Sequence, residues 1–233
     1  MTRTSEHGRP IGDEVPGWSA RERPRRTALS GRYVTLEPVT PSHAEDLFAA
    51  TRDPALWTYR HDEPPATAGE LAQRVEEWAG SDDNVTFALV PRDPGRCAGV
   101  ATLCRIDPAN GSAEVGAVLY GEGLARTPAA TEAIALLARH LFEDLGYRRF
   151  EWKLDALNAP SSRAARRLGF AYEGRFRNAL VYKGRNRDTD WFAMTDDDWR
   201  RLAPAYAAWL DPANFDDRGV QRTALSDLTG TVE

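Results

Sequence analysis

The sequence predicts an α+β (mixed α/β) domain. Residues 85–90, 97–106 and 112–120 read as three successive strands with no helix between them, as in a meander. Two strand–helix units follow, at 148–155 with 158–168 and at the sheet's last strands. Strands in a run, then strands alternating with helices, point to a mixed and mostly antiparallel sheet rather than a doubly wound one.

The elements follow in order. Residues 33–38 alternate and are β-branched, which predicts a first strand. A helix begins at Pro41 and ends at Asp53-Pro54, because the residue before a proline is pushed out of the helical region. A second helix opens at Thr67 or Ala68, with Leu71, Val75 and Trp78 at helical spacing. Val85, Phe87 and Leu89 place one face of the next strand inward. Asn110-Gly111 is a hairpin turn signal before the strand at 112–120. Thr127 and Pro128 are an N-cap and a first helical residue. Ala130, Ala133, Ile134, Leu137, Leu141 and Leu145 then form one apolar stripe, closed by Gly146. Strands at 170–176 and 189–194 complete the sheet, and 196–210 reads as a final helix. The order is β-α-α-β-β-β-α-β-α-β-β before that helix.

Residues 1–28 lack hydrophobic periodicity and read as a flexible, solvated arm, although Arg21, Arg23, Arg25 and Arg26 could hold an anion. The domain is expected at 29–210 and a polar tail at 211–233. The chain has 233 residues, and 42% of them are hydrophobic, enough for a sizeable core. It has no apolar run near the twenty or so residues that a spanning helix needs, and its start lacks a signal-peptide core. A cytoplasmic location is the default expectation. A net charge of -5 argues against a general nucleic-acid footprint. The two cysteines, Cys97 and Cys104, are too few for a disulfide or metal framework and read as reduced structural residues.

The chemistry-bearing pieces lie between 112 and 170. They are Glu114-Val115-Gly116 on a strand and the Gly-containing loop 121–126. Ala130-Thr131-Glu132-Ala133 then starts a helix, and Asn158-x-x-Ser161 precedes Arg167-Leu168-Gly169-Phe170. In this order the chain resembles the GNAT superfamily of acyltransferases over about residues 29–199. It is most similar to the branch with the ribosomal-protein N-terminal acetyltransferases. The resemblance implies a sheet splayed at the fourth and fifth predicted strands (112–120 and 148–155). It also implies transfer of a small acyl group, acetyl first, from acyl-CoA to a primary amine of a protein or small molecule, with no metal.

The implied cofactor contacts are the backbone at Ala117 and Val118, the helix start at Arg126, Thr127, Ala129, Ala130 and Thr131, and Asn158 and Ser161. A helix N-terminus suits a pyrophosphate through its free N–H groups. The family's loop reads Arg/Gln-x-x-Gly-x-Gly/Ala; here Pro128 stands at the central glycine and supplies no N–H. Arg126 can offset that loss as a charged donor. Asn158 would touch the pantetheine arm, and it is also a natural N-cap. Ser161 would protonate the departing thiolate, or Ser161 and Ser162 only cap the helix.

An acceptor amine must shed a proton before attack. The residues 178–181, where ribosomal-protein enzymes can place a glutamate, hold no carboxylate. Glu114 is therefore the first candidate base and Asp155 the second; a strand-end ion pair is the competing role for Glu114. Tyr59, Arg60, His61 and Asp62 fall where acceptor specificity is expected. The basic tract 182–188 reads as a solvated hairpin, with the cofactor 3′-phosphate, an acidic substrate or a second copy in a homodimer as other partners. His7, His43 and His140 read as structural or surface residues. Two further readings stay open: an acyl-CoA-binding regulatory module with weak turnover, and the same enzyme with succinyl-CoA as donor.

Overall fold

The structure, a computed structural model, describes residues 3–230. A short exposed hairpin comes first, β1 (Arg3–Thr4) and β2 (Pro10–Ile11). The main sheet then begins with β3 (Leu29–Ser30) and β4 (Val34–Pro38). Helices α1 (Ala44–Ala50) and α2 (Ala68–Gly80) follow. Strands β5 (Val85–Pro91), β6 (Gly99–Asp107) and β7 (Ser112–Tyr120) form the meander. Helix α3 (Pro128–Arg139) leads to β8 (Arg149–Asp155), and α4 (Ala159–Arg167) to a long hairpin of β9 (Ala171–Tyr182) and β10 (Arg185–Thr195). Helices α5 (Asp196–Trp209) and α6 (Leu225–Thr229) close the chain.

The eight strands lie in the order β3-β4-β5-β6-β7-β8-β10-β9. Each neighbouring pair is antiparallel except β7 with β8. Strand alternation divides the side chains between two cores. Val85, Phe87 and Leu89 pack with α3, Phe150, Trp152 and Leu154. Ala88, Val100 and Leu119 pack on the other face with Leu47, Trp57, Leu71 and Val75. The predicted mixed, mostly antiparallel sheet between helices is therefore the observed one.

Glu132, inside α3, is buried. Its carboxylate accepts backbone N–H bonds from Arg32 (2.7 Å), Tyr33 (2.6 Å) and Val34 (2.9 Å). It thereby satisfies donors at the start of β4 and ties that strand to the helix. Gly31 has to be glycine here, because a Cβ would run into the same carboxylate.

The expected solvated arm needs correction over residues 18–26. The Trp18 indole N–H donates to the Ala109 carbonyl at 2.9 Å, and Arg21 Nε to Gly146 at 3.1 Å. The Arg21 amide donates to Pro108 at 2.9 Å, and Tyr147 Oη to the Glu22 carbonyl at 3.1 Å. Arg23 donates to the carbonyls of Asp82, Asp83 and Ile106. Of the arginines that read as an anion site, Arg21, Arg23 and Arg26 thus donate to main-chain carbonyls, and Arg25 pairs with Glu22. Deleting residues 1–25 is expected to lower stability by roughly 2–3 kcal/mol, since each of several such bonds contributes about 0.5–1.5 kcal/mol. Urea unfolding checks this; an unchanged midpoint would return the arm to solvent.

The tail needs the same correction up to residue 230. Phe215 packs edge-on to Trp209 (5.2 Å) and Tyr33 (6.3 Å), and Leu225 of α6 is fully buried. Residues 1–2 and 231–233, at the ends of the expected arm and tail, lie outside the described residues.

Candidate active site

β7 and β8 pair only from Ser112↔Arg149 to Val115↔Trp152. Beyond that the strands separate, and β7 continues to Tyr120 without β8 beside it. At the point of separation β7 carries a bulge: Thr102 faces Gly116 and Val100 faces Leu119, so Ala117 and Val118 both stand opposite Ala101. Ala117 has φ +49°, a left-handed conformation uncommon outside glycine. Bulges end pairing and re-aim the backbone. Arg60 holds this one, with Nη1 donating to the Ala117 carbonyl at 2.8 Å and Nε paired to Asp62 at 3.0 Å.

The opening is part of a cleft of about 1650 Å³ that reaches both faces of the sheet. On the α3/α4 face it meets the start of α3. Thr127 Oγ1 accepts from the Ala130 N–H at 3.3 Å. Arg126, exposed and at φ +66°, lies just before it. Thr131 is buried, and its Oγ1 accepts from Arg167 Nη1 at 3.1 Å. Ala129 differs from its neighbours: it packs into the core and is absent from the cleft wall. Arg163 and Arg167, one helical turn apart on α4, join Arg126 in lining this end. Sequence reasoning missed both; the signal was the i, i+4 spacing of two arginines on the helix that faces the start of α3.

Asn158 and Ser161 sit on the same face. Asn158 Oδ1 accepts from the Ser161 amide at 3.2 Å, so the N-cap role is real and leaves the Asn158 amide N–H2 outside that bond. Ser161 Oγ accepts from the Trp152 indole N–H at 3.0 Å. An indole only donates, so the bond orients Ser161 and leaves its hydroxyl hydrogen available.

The other face carries the carboxylates. Glu114 Oε2 is 2.9 Å from Lys153 Nζ and 3.5 Å from Arg105 Nε, while the Glu114 side chain is only 8% exposed. The contact with Lys153 is an ion pair without a well-directed hydrogen bond. Burial pushes the Glu114 carboxyl above the ordinary value, and Lys153 and Arg105 pull against that. Asp155 is engaged elsewhere: it accepts from Tyr182 Oη (2.8 Å) and from the Leu157 amide (2.9 Å). His61 lines the cleft beside Tyr182, with ring centroids 5.4 Å apart. Burial first, and then the Arg187 charge, hold its pKa below the usual value, so the imidazole is neutral near pH 7. The tract 182–188 forms the tip of the β9–β10 hairpin, as its sequence reads. Lys183 Nζ donates to the Trp57 carbonyl at 2.9 Å and pairs with Glu63 at 3.4 Å, which ties the hairpin tip to the segment after α1.

The acetyltransferase (GNAT) domain model matches residues 34–171. The chain belongs to the GNAT acetyltransferase family. It is an acyltransferase by that membership, and GNAT enzymes join an acyl-CoA donor to an amine acceptor. A GCN5-related N-acetyltransferase from Brucella melitensis is 43% identical, with a TM-score of 0.91 over 93% of this chain and 100% of that one. The uncharacterized N-acetyltransferase p20 of Bacillus licheniformis is 26% identical over 168 residues, 69% of this chain and 92% of the relative. The GNAT fold is also shared with an acetyl transferase from Salmonella typhimurium that modifies the N-terminal serine of 50S ribosomal subunit protein L7/L12. That protein is 19% identical, with a TM-score of 0.64 over 72% of this chain and 99% of that one.

Proposed function

We propose that this GNAT protein transfers a small acyl group, acetyl first, from acyl-CoA to a primary amine by direct attack. The observation that carries the reading is the cleft through the β7–β8 splay, which joins a cation-rich helix start on one face to a carboxylate on the other. The pyrophosphate would lie at the α3 N-terminus with Arg126, Arg163 and Arg167, which offset the N–H missing at Pro128. The Asn158 amide would meet the pantetheine. The bulge backbone at Ala117 and Val118 would polarise the thioester carbonyl as a preorganised donor group, with Arg60 fixing its position.

Glu114 would take the proton from the arriving ammonium. The neutral amine then adds to the carbonyl carbon and the C–S bond breaks; Ser161 passes its hydroxyl proton to the leaving thiolate, and the second proton shed by the nitrogen returns through water to the Ser161 oxygen, leaving the amide and the CoA thiol. A thiol pKa of about 8.5 already makes a fair leaving group, so this last help is modest. No helix among the described residues is long and apolar enough to cross a membrane, and we place the protein in the cytoplasm beside its acyl-CoA supply.

Thiol release from acetyl-CoA with a panel of primary amines tests the reaction. Thermal stabilisation by acetyl-CoA tests donor binding separately; binding without release from any amine would favour a regulatory module. Asn158→Ala is expected mainly to raise the KM for acetyl-CoA, because a pantetheine contact exists in ground and transition states alike. Ser161→Ala is expected to lower kcat by about tenfold or less, below the usual effect of a general acid, with donor affinity kept. Unchanged kinetics in both folded variants would reduce these residues to helix caps.

A further inference from the structure

The acceptor half of the cleft contains a second group of polar residues that the transfer mechanism does not use. Arg187, Thr189 and Trp191 alternate along β10 and line the cleft together. Trp191 stands opposite Lys153 and Thr189 opposite Asp155, so this face of β10 is the Glu114 face of the sheet. Arg187 Nε, Thr189 Oγ1 and Trp191 Nε1 are all buried and have no hydrogen-bond partner; they are three of five such atoms among the described residues. Thr189 is only 4% exposed. Buried polar groups are nearly always paired, and leaving one unpaired costs about 1–3 kcal/mol. Three on one strand, facing one cleft, mark a place for a ligand.

The donor set defines that ligand's charge. An indole N–H and a guanidinium can only donate, and a threonine hydroxyl can donate. The neighbouring carboxylates are committed elsewhere. Asp188 Oδ1 accepts from the Asn178 amide and Asn186 Nδ2, Asp155 holds Tyr182, and Glu114 is shared by Lys153 and Arg105. Arg187 has no carboxylate within ion-pair distance among the described residues. One guanidinium with two neutral donors matches a single negative charge on two oxygens. Phe176 and Leu180, which face Thr189 and Arg187 on β9, supply apolar walls for a short methylene chain.

We propose that Arg187, Thr189 and Trp191 form a carboxylate-binding subsite, which takes the free carboxylate of a small amine acceptor or of a dicarboxylic acyl donor. The proposal rests on the transfer reading above. The positive subsite repels the acceptor's ammonium and so directs it to Glu114, while the carboxylate docks on β10.

Two arms separate the sources. The first compares 5-aminopentanoate with pentylamine, using acetyl-CoA. The second compares succinyl-CoA with butyryl-CoA, using pentylamine. One arm is expected to favour the carboxylate by about tenfold or more in kcat/KM, the worth of a charged hydrogen bond. Arg187→Gln should bring that ratio to within about twofold of one, and Thr189→Val should lower it a few-fold. Ligand-free melting temperatures confirm folding. The subsite is overturned if both ratios are near one, or if the preference survives Arg187→Gln. Should no pair release thiol, the transfer reading fails and binding decides the subsite. Thermal stabilisation by succinyl-CoA beyond that by butyryl-CoA, or by glutarate with CoA present, must then appear and be lost in Arg187→Gln; its absence also overturns the proposal.

Discussion

Glu132→Ala is expected to destabilise the protein by about 3–5 kcal/mol, because bonds to a charged acceptor are worth about 1.5–3 kcal/mol each and burial makes orphaned donors costly. The three N–H groups of Arg32, Tyr33 and Val34 all end on this one carboxylate. Val34 is fully buried, whereas Arg32 is exposed and water can replace part of its bond, which sets the lower end of the range. For a chain of this size each kcal/mol shifts Tm by about 2–4 °C, so a fall of roughly 6–20 °C is expected. Glu132→Gln keeps the shape but turns an NH2 toward a backbone donor, and should lose at least half as much. The deficit should be in stability, with donor-site chemistry retained below the new Tm. Urea unfolding of the three proteins checks this. A loss under about 1 kcal/mol would show that β4 holds its place without the latch.

That latch shows what the sequence reveals and what it hides. Ala130-Thr131-Glu132-Ala133 is recognisable as the start of a helix, and Thr127 with Pro128 fixes its first turn. Nothing in the residue pattern told that Glu132 faces the other way, toward a strand a hundred residues earlier. The same holds for the arm. Trp18, Arg21 and Arg23 bind backbone carbonyls, and main-chain acceptors leave no mark in a sequence. The tail is held by single apolar residues, Phe215 and Leu225, too sparse to form a period. The β9–β10 hairpin was read short, from 170–176 and 189–194. Its outer half is built from Arg, Asn and exposed Leu180 and Val181, which lack the alternation of a half-buried strand. It pairs through the backbone as far as Tyr182↔Arg185.

The site divides the same way. Asn158 and Ser161 could be found because helix capping favours those residue types at that spacing and the family resemblance marks the same two positions. Trp152, which orients Ser161, and Arg60, which grips the Ala117 carbonyl, act through distances across the fold. Arg187, Thr189 and Trp191 look like an ordinary alternating strand segment. Only their missing partners set them apart, and a missing partner is a property of the folded chain.

Glu114→Gln is expected to lower kcat/KM by about 10²–10⁴ at neutral pH, the range for a positioned acid–base group. Glu114 is in the cleft wall near the end of the β7–β8 pairing, two residues before Gly116 and the bulge, on the face opposite Ser161. Its burial raises the carboxyl pKa, which makes it a better proton acceptor than an exposed glutamate, while Lys153 and Arg105 beside it favour the charged form. The sign of the pH dependence follows. The active form is the carboxylate, so wild-type kcat/KM should fall as pH drops through that raised pKa, and should be level between it and the amine's own pKa. In Glu114→Gln the amine must arrive already neutral. Its kcat/KM should climb about tenfold per pH unit up to the amine pKa, with no separate acidic limb. Lys153 loses its ion-pair partner in this variant, so the ligand-free Tm and acetyl-CoA binding are measured beside the rates, and both should stay near wild type. A pH–rate profile over pH 5–10 decides the matter. An acidic limb that persists unchanged in Glu114→Gln would move the proton transfer to another group lining the cleft, first the neutral imidazole of His61, since Asp155 is engaged by Tyr182.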